Sequence, residues 1–154
     1  MNKIALSLLL AVCASAHADG VSLLTPVTYA NESSVVPKIR EECKIEDRLA
    51  ADVGSALAGT TTSTAGEVVR VSILDVMGVG GGAWSGPKAI TIRVELLKNG
   101  KVERNTRLTR TTTGGAFGGF KSTCSILERD SAVLGKDVAN WVASESSPGD
   151  DSHK

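Results

Sequence analysis

Apolar and polar positions alternate through the middle of the chain, as they do in β-strands that bury one face. In Ala89–Leu97 every second position is aliphatic, and threonine, arginine and glutamate lie between them. Glu67–Met77 is rich in β-branched residues, and its apolar positions fall on both faces. One face carries Val69, Val71 and Ile73, and the other carries Val68, Leu74 and Val76. We therefore expect Glu67–Met77 to be a strand covered on both sides for part of its length.

Two further strands flank this pair in the sequence. Val21–Leu24 and Val27–Tyr29 are short β-type runs separated by Pro26. Because proline cannot donate a backbone hydrogen bond, we predict an interrupted strand at a sheet edge. Lys101–Thr112 is strongly polar and rich in arginine and threonine. It is predicted to be an exposed edge strand, protected by its charges against self-association.

An Asn-Gly pair at positions 99 and 100 marks the tight turn between the last two strands. A two-residue turn would set Leu96 opposite Glu103, an apolar residue against a charged one. A three-residue loop that includes Lys98 pairs Leu96 with Val102 instead. Since the buried face determines the register of a hairpin, we predict the three-residue loop with a bulge.

Apolar residues at helical spacing predict two helices. Ile45–Leu57 carries an apolar residue at every fourth position. Thr123–Ala143 carries a second apolar stripe, with Gly135 as a weak point of the helix. The members of this stripe are Leu127, Leu134, Val138 and Trp141. Val35–Cys43 stays open between an extended segment and a helix with Pro37 in its first turn.

Residues 1–18 have the three parts of a secretory signal peptide. Lys3 supplies the positive charge, Ile4–Val12 the apolar run, and Ala16-His17-Ala18 the cleavage site. No segment reaches the roughly 20 apolar residues that a transmembrane helix needs. We expect an exported periplasmic or secreted chain with one domain, residues 19–143, and a disordered tail, residues 144–154. A lipoprotein acylated at Cys13 is the alternative, which the preceding Val12 disfavours.

Removal of this leader limits the chemistry that the chain can perform. The full sequence has 17 basic and 17 acidic residues, so the loss of Lys3 leaves 16 against 17 and a net charge of −1. A net charge this close to zero does not indicate a surface that binds nucleic acid. His153 is then the one remaining histidine. Ser-His-Asp and Cys-His catalysis and histidine metal sites are therefore excluded, and we expect no cofactor and no metal.

These elements predict an α+β fold in the order β-α-β-β-β-α. The expected architecture is a mixed four-stranded sheet with two helices on one face. Both helices begin at the same end of the sheet, and Cys43 and Cys124 lie near those two helix starts. In an oxidising compartment two such cysteines are expected to form one disulfide. The topology and the cysteine count point to the same bridge.

Two glycine-rich octets, Gly81–Lys88 and Gly114–Lys121, share Gly-Gly-Ala, then an aromatic residue, with glycine sixth and lysine eighth. Strand counting places both octets at one end of the sheet. Exposed amides, helix N-termini and lysines there could hold an anionic group, and the aromatic rings could contact a sugar or a protein. We define the rim as Gly81, Gly82, Trp84, Lys88, Gly114, Gly115, Phe117, Phe120 and Lys121.

The rim also has a purely structural interpretation, in which glycines form tight turns and the aromatic residues close the core. A P-loop is absent, because the spacing from Gly114 to the Lys-Ser pair is one residue too long. Asp75 and Asp130 are the carboxylates expected to be partly buried. A carboxylate pair can hydrolyse glycosides, but such residues more often cap turns or pair with cations. We therefore predict a protein that is not an enzyme.

Three runs, Gly80–Lys88, Gly114–Leu127 and Leu134–Trp141, resemble segments of a group of small exported proteobacterial proteins of unassigned function. The resemblance covers the C-terminal half of the chain. It implies the compartment and the fold, and it implies no activity or ligand.

The sequence therefore predicts a non-enzymatic periplasmic binding protein that uses the rim. The expected partner is another envelope protein, as for an inhibitor or immunity-type protein. A carbohydrate or peptidoglycan-fragment binder that stacks a sugar on Trp84 is the first alternative. A small carboxylate-dependent hydrolase is the second.

Overall fold

A computed structural model describes residues 21–32, 35–60, 66–78, 86–112 and 122–144. The predicted leader, the tail beyond Ser144 and every rim residue except Lys88 lie outside these ranges. The described residues form seven elements: β1 Ser22–Tyr29, α1 Pro37–Cys43, α2 Ile45–Ala58, β2 Glu67–Met77, β3 Lys88–Lys98, β4 Lys101–Thr112 and α3 Thr123–Ser144.

The strands form one mixed sheet in the order β1-β2-β3-β4. β1 is parallel to β2, and the other two pairings are antiparallel. α2 packs on β1, α3 packs on β3 and β4, and the two helices pack on each other. The predicted α+β arrangement is confirmed, with the short helix α1 as an addition. No helix within the described ranges is long and apolar enough to cross a membrane.

One face of the sheet, here called the inner face, lies against α2 and α3. Alternate aliphatic residues of β2 and β3 form its centre, and those of β3 are at most 3% exposed. The apolar stripe of α2 is buried against them, with each member at most 1% exposed. Its members are Ile45, Leu49, Val53 and Leu57. Every second residue of the strands and every fourth residue of α2 therefore pack into one core.

The undecided segment before α2 is a separate helix. Pro37 occupies the first turn of α1, where its missing amide hydrogen costs no hydrogen bond. α1 ends at Cys43, and the next residue, Lys44, has a left-handed backbone with φ 44° and directly precedes the first residue of α2. The break between the two helices comes from this one residue. It directs α1 away from the axis of α2 while Ile39 and Cys43 stay buried.

β2 departs from the predicted pattern at Leu74. Ile73 pairs with Ile92, but Asp75 pairs with Thr91, so one extra residue is inserted between them. This bulge shifts the alternation by one position and turns Val76 onto the inner face, where it is 3% exposed. The prediction that β2 is covered on both sides for part of its length stays a prediction, and Val68 and Leu74 are half-buried. Within the described residues, its apolar side chains are buried on the inner face only.

The predicted three-residue hairpin loop is also wrong. Lys98 pairs with Lys101, which leaves a two-residue turn in which Asn99 and Gly100 both have positive φ. These angles are typical of a type I′ turn. A bulge at Glu103 then restores the register, so that Leu96 faces Arg104. Leu108 lies on the inner face of β4, opposite Ile92, but the extra residue that places it there lies inside the strand and not in the turn.

β1 and β4 are the edge strands, as predicted. β1 is interrupted around Pro26, where its register with β2 shifts. β4 is largely exposed, as predicted, although two of its arginines lie on the side of α3. Arg104 lies over the ring of Trp141, with 4.4 Å between the guanidinium carbon and the ring centroid, and donates to the carbonyl of Val142 at 3.1 Å. Burial lowers the pKa of Arg104.

The predicted disulfide is confirmed. Cys43, the last residue of α1, is joined to Cys124 in the first turn of α3, with their Cα atoms 4.9 Å apart. The bridge lies at the end of the sheet where β1, β2 and β4 finish and β3 begins. We call this the top end.

Candidate functional site

Lys88 is the one rim residue that the structure describes, and it is only 1% exposed. Its ammonium group donates to the carbonyl of Gly86 at 3.2 Å. Lys88 pairs with Thr112 across β3 and β4, so its side chain lies on the inner face at the top end. Lys88 therefore contributes charge to the inside of this end. The remaining rim residues lie outside the described ranges, and the binding role of the rim stays a prediction.

A cleft opens beside this pair, between the end of β4 and the first turns of α3. Its volume is about 250 Å³. β4 contributes Arg110, Thr111 and Thr112, and α3 contributes Ile126, Arg129, Asp130 and Val133. We call it the Asp130 cleft. It adjoins the second glycine-rich octet in the sequence, since only Thr113 separates Thr112 from Gly114.

Asp130 is the central polar group of this cleft and is 7% exposed. The hydroxyl of Thr112 donates to its Oδ1 at 2.6 Å. Its Oδ2 is buried and accepts no hydrogen bond within the described part of the chain. An unpaired buried carboxylate oxygen costs about 1–3 kcal/mol or more. A carboxylate in this position is stabilised by a donor that reaches Oδ2.

Two arginines border Asp130. Arg110 donates from Nε and from a terminal nitrogen to the two carboxylate oxygens of Asp137, both at 2.6 Å. This pair raises the pKa of Arg110, and Asp130 contributes in the same direction. Arg129 is exposed and has no carboxylate within 4.0 Å among the described residues. The cleft thus combines one carboxylate oxygen that has no donor among the described residues with two guanidinium groups.

Asp75, the other carboxylate singled out from the sequence, lies elsewhere. Its cross-strand partner is Thr91, and both point to the outer face, the sheet face opposite the helices. Asp130 lies on the helical side. These two carboxylates therefore do not converge on one substrate, as a glycosidase pair would have to.

A second concavity of about 350 Å³ lies at the top end near β1. Four of its polar groups bind one another in two pairs. Tyr29 donates to Glu46 at 2.8 Å, and Arg40 pairs with Glu32 at 3.0 Å. Burial, followed by the hydrogen bond to Glu46, raises the pKa of Tyr29. These four groups already have partners, whereas Oδ2 of Asp130 has no donor among the described residues.

The described residues contain no group of three His, Cys, Asp or Glu side chains placed to hold a metal ion. Sequence reasoning identified Asp130 but missed Thr112 and Arg110, which it assigned to a solvated edge strand. The signal was present in the alternation of β4. Positions 110 and 112 have the same parity as the inner-face residue Leu108, so both belong on the side of α3.

No protein-family model matches this chain, and no curated protein matches it either. Solved structures do. The PelC dodecamer from Paraburkholderia phytofirmans matches with a TM-score of 0.47 and 14% identity, over 79% of this chain and 87% of that chain. A candidate lipoprotein from Caulobacter crescentus CB15 matches with a TM-score of 0.47 and 16% identity, over 86% of this chain and 96% of that one.

Proposed function

We propose that this protein is a non-enzymatic binding protein of the bacterial periplasm that holds a saccharide fragment in the Asp130 cleft. The observation that carries the proposal is Oδ2 of Asp130, a buried carboxylate oxygen that lacks a donor among the described residues. Export rests on the signal peptide predicted at residues 1–18. The absence of catalysis rests on the single histidine of the mature chain.

The composition of the cleft supports a polyhydroxylated ligand. Hydroxyl and amine groups donate to a carboxylate, and arginine donates to hydroxyl, carbonyl or carboxylate oxygens of the same ligand. A volume of about 250 Å³ suits one sugar ring better than a folded surface loop. An amino sugar combines the ammonium group that Asp130 favours with the hydroxyl groups that Arg110 and Arg129 can reach.

The test is a titration of the mature protein with glucosamine and N-acetylglucosamine, followed through backbone amide resonances. We expect saturable shifts at Thr112, Asp130 and Val133. Asp130→Asn should weaken binding about 10- to 100-fold, because hydrogen bonds to a charged group contribute about 1.5–3 kcal/mol. The variant should fold, since the remaining oxygen can still accept from Thr112.

Asp75→Asn is the matched control, because it removes a carboxylate from the opposite face of the sheet. It should leave the titration unchanged. Shifts that persist in Asp130→Asn, or the absence of saturable shifts with both sugars, would contradict the proposal.

A protein partner is the second candidate function, and a different observation favours it. Leu24, Met77 and Val102 are 41–46% exposed, and all three lie on the outer face. That face is open to a partner in the part of the chain that the structure describes.

A further inference from the structure

The outer face has two arginines at its centre. Arg93 and Arg107 are direct partners across β3 and β4, so both side chains leave the sheet on the same side. Both are exposed. In an antiparallel pair, directly opposed side chains are separated by only about 4.5–5.5 Å at Cβ. Two positive charges are therefore held side by side by the register of the hairpin.

Nothing in the described part of the chain neutralises this pair. Neither guanidinium group has a carboxylate within 4.0 Å there. Glu95, two positions from Arg93 on the same face, is bound by Arg70 at 2.7 Å. Ser72, the partner of Arg93 on β2, carries no charge. Like charges placed opposite each other destabilise a sheet, so the pair has a cost that the described residues do not offset.

We propose that Arg93 and Arg107 form a docking site for an acidic side chain of another protein. Two adjacent guanidinium groups can donate several parallel hydrogen bonds to one carboxylate. That carboxylate would remove the repulsion between the two arginines at the same time. The site lies on the opposite side of the sheet from the Asp130 cleft and does not depend on it.

The surroundings of the pair favour a protein over other anionic partners. Leu24 is 46% exposed and Val102 is 44% exposed on the same face. Aliphatic contacts beside arginine are typical of protein interfaces, whereas no described outer-face residue is aromatic and able to stack on a sugar. A nucleic acid or an anionic membrane usually requires a larger group of cations, roughly four or more.

A second copy of the chain is a weaker match. It would bring the same two arginines to the interface. Among described outer-face carboxylates, only Asp75 would be uncommitted on each copy, because Glu95 is already paired. Charge complementarity therefore points to a different, acidic protein.

The test uses the mature protein and a short acidic peptide, acetyl-Gly-Glu-Ala-Glu-Gly-amide, with its glutamine counterpart as the uncharged probe. Binding is followed at the side-chain Nε–H resonances of Arg93 and Arg107. We expect the acidic peptide to shift both resonances saturably and the glutamine peptide to leave them unchanged. Raised salt should reduce the shifts, because exposed charges are screened.

Arg107→Gln should weaken peptide binding at least about fivefold. Lys136→Gln, which removes one exposed charge from the helical layer, should not. Arg107→Glu provides a second readout: it should raise the unfolding midpoint by placing opposite charges across the strands, and abolish peptide binding. If the arginine pair affected only stability, a variant with a higher unfolding midpoint would not lose peptide binding.

Three results would overturn the proposal. Equal binding of both peptides would remove the requirement for an acidic group. Arg107-dependent binding of an oligouronate, without binding of the peptide, would assign the face to an acidic polysaccharide. Self-association of the protein that is lost in Arg107→Gln would assign it to a second copy.

Discussion

Lys88 and Asp130 are charged residues that this small domain buries at one end of its core, at 1% and 7% exposure. Thr112 connects their positions, as the cross-strand partner of Lys88 and the hydrogen-bond donor to Asp130. Charged groups are rarely buried without full pairing, so this polar layer marks the top end as chemically distinct from the aliphatic core.

Tyr29 gives a prediction at the scale of one residue, because it is the only tyrosine in the chain. Burial, the hydrogen bond to Glu46 and the charge of Glu46 raise its pKa. In the folded protein the phenolate absorbance should therefore appear well above pH 10, and in denaturant near pH 10. Glu46→Gln should move the folded midpoint part of the way back, since burial remains.

The same shift predicts the direction of a stability change. Because the folded pKa of Tyr29 lies above the unfolded value, its contribution is fully present below about pH 10. As the pH rises from there towards the folded pKa, the unfolded state loses its proton first and the free energy of unfolding falls. Tyr29→Phe should have a shallower fall over this window. A folded titration midpoint at about pH 10 would refute both expectations.

At the scale of elements, α2 and α3 approach each other closely at Gly135. A Cβ atom there would lie 2.8 Å from the carbonyl oxygen of Asp52. Asp52 also accepts a hydrogen bond from the hydroxyl of Ser131 at 2.7 Å, one turn earlier on α3. Sequence reasoning treated Gly135 as a weakness of the helix. In the structure it permits the contact between the two helices.

Gly135→Ala should therefore lower the free energy of unfolding by about 1–3 kcal/mol, in spite of the higher helix propensity of alanine. Gly54 is the matched control on α2, because a Cβ there meets nothing within 4 Å. Gly54→Ala should raise the free energy of unfolding by up to about 1 kcal/mol. Urea denaturation of both variants measures the difference. An equal gain from both substitutions would mean that α2 and α3 do not approach closely at Gly135.

The strands show how far local patterns reach. Strand and helix positions follow from the periods of apolar residues, and β2 and β4 have the predicted bounds. The bulges at Leu74 and Glu103 do not follow from any local signal. A bulge is decided by which neighbour the strand pairs with on each side, and that depends on residues far away in the sequence. For this reason the sequence placed Val76 on the wrong face of β2. For the same reason it placed the extra residue of the hairpin in the turn and not in β4.

At the scale of the whole molecule, the disulfide joins chain positions that are 81 residues apart. It connects the helical segment before β2 with the helix after β4, and so closes most of the domain into one loop. In the chain-entropy account, a loop of this length contributes roughly 4–5 kcal/mol.

The double variant Cys43→Ser with Cys124→Ser should lose roughly this amount in a denaturant titration. Reduction of the unmodified protein should give the same loss, which serves as the control for any effect of serine itself. A loss below about 1 kcal/mol would show that the bridge constrains the unfolded chain far less than its loop length implies.

The whole molecule also separates two candidate surfaces. The Asp130 cleft lies on the helical side and offers, beside two arginines, a carboxylate oxygen that has no donor among the described residues. The arginine pair lies on the open side and offers two adjacent cations. The four-stranded sheet lies between them, so ligands of different charge can be tested at each surface separately.

The sequence by itself determined the features that depend on local order and on composition. Alternation located the strands, helical spacing located α2 and α3, and the two cysteines of the mature chain predicted the disulfide. The tertiary structure decided which charged groups are incompletely paired within the described part of the chain. Asp130, Arg93 and Arg107 look like ordinary polar residues in sequence, because burial and pairing are properties of neighbours that only folding brings together.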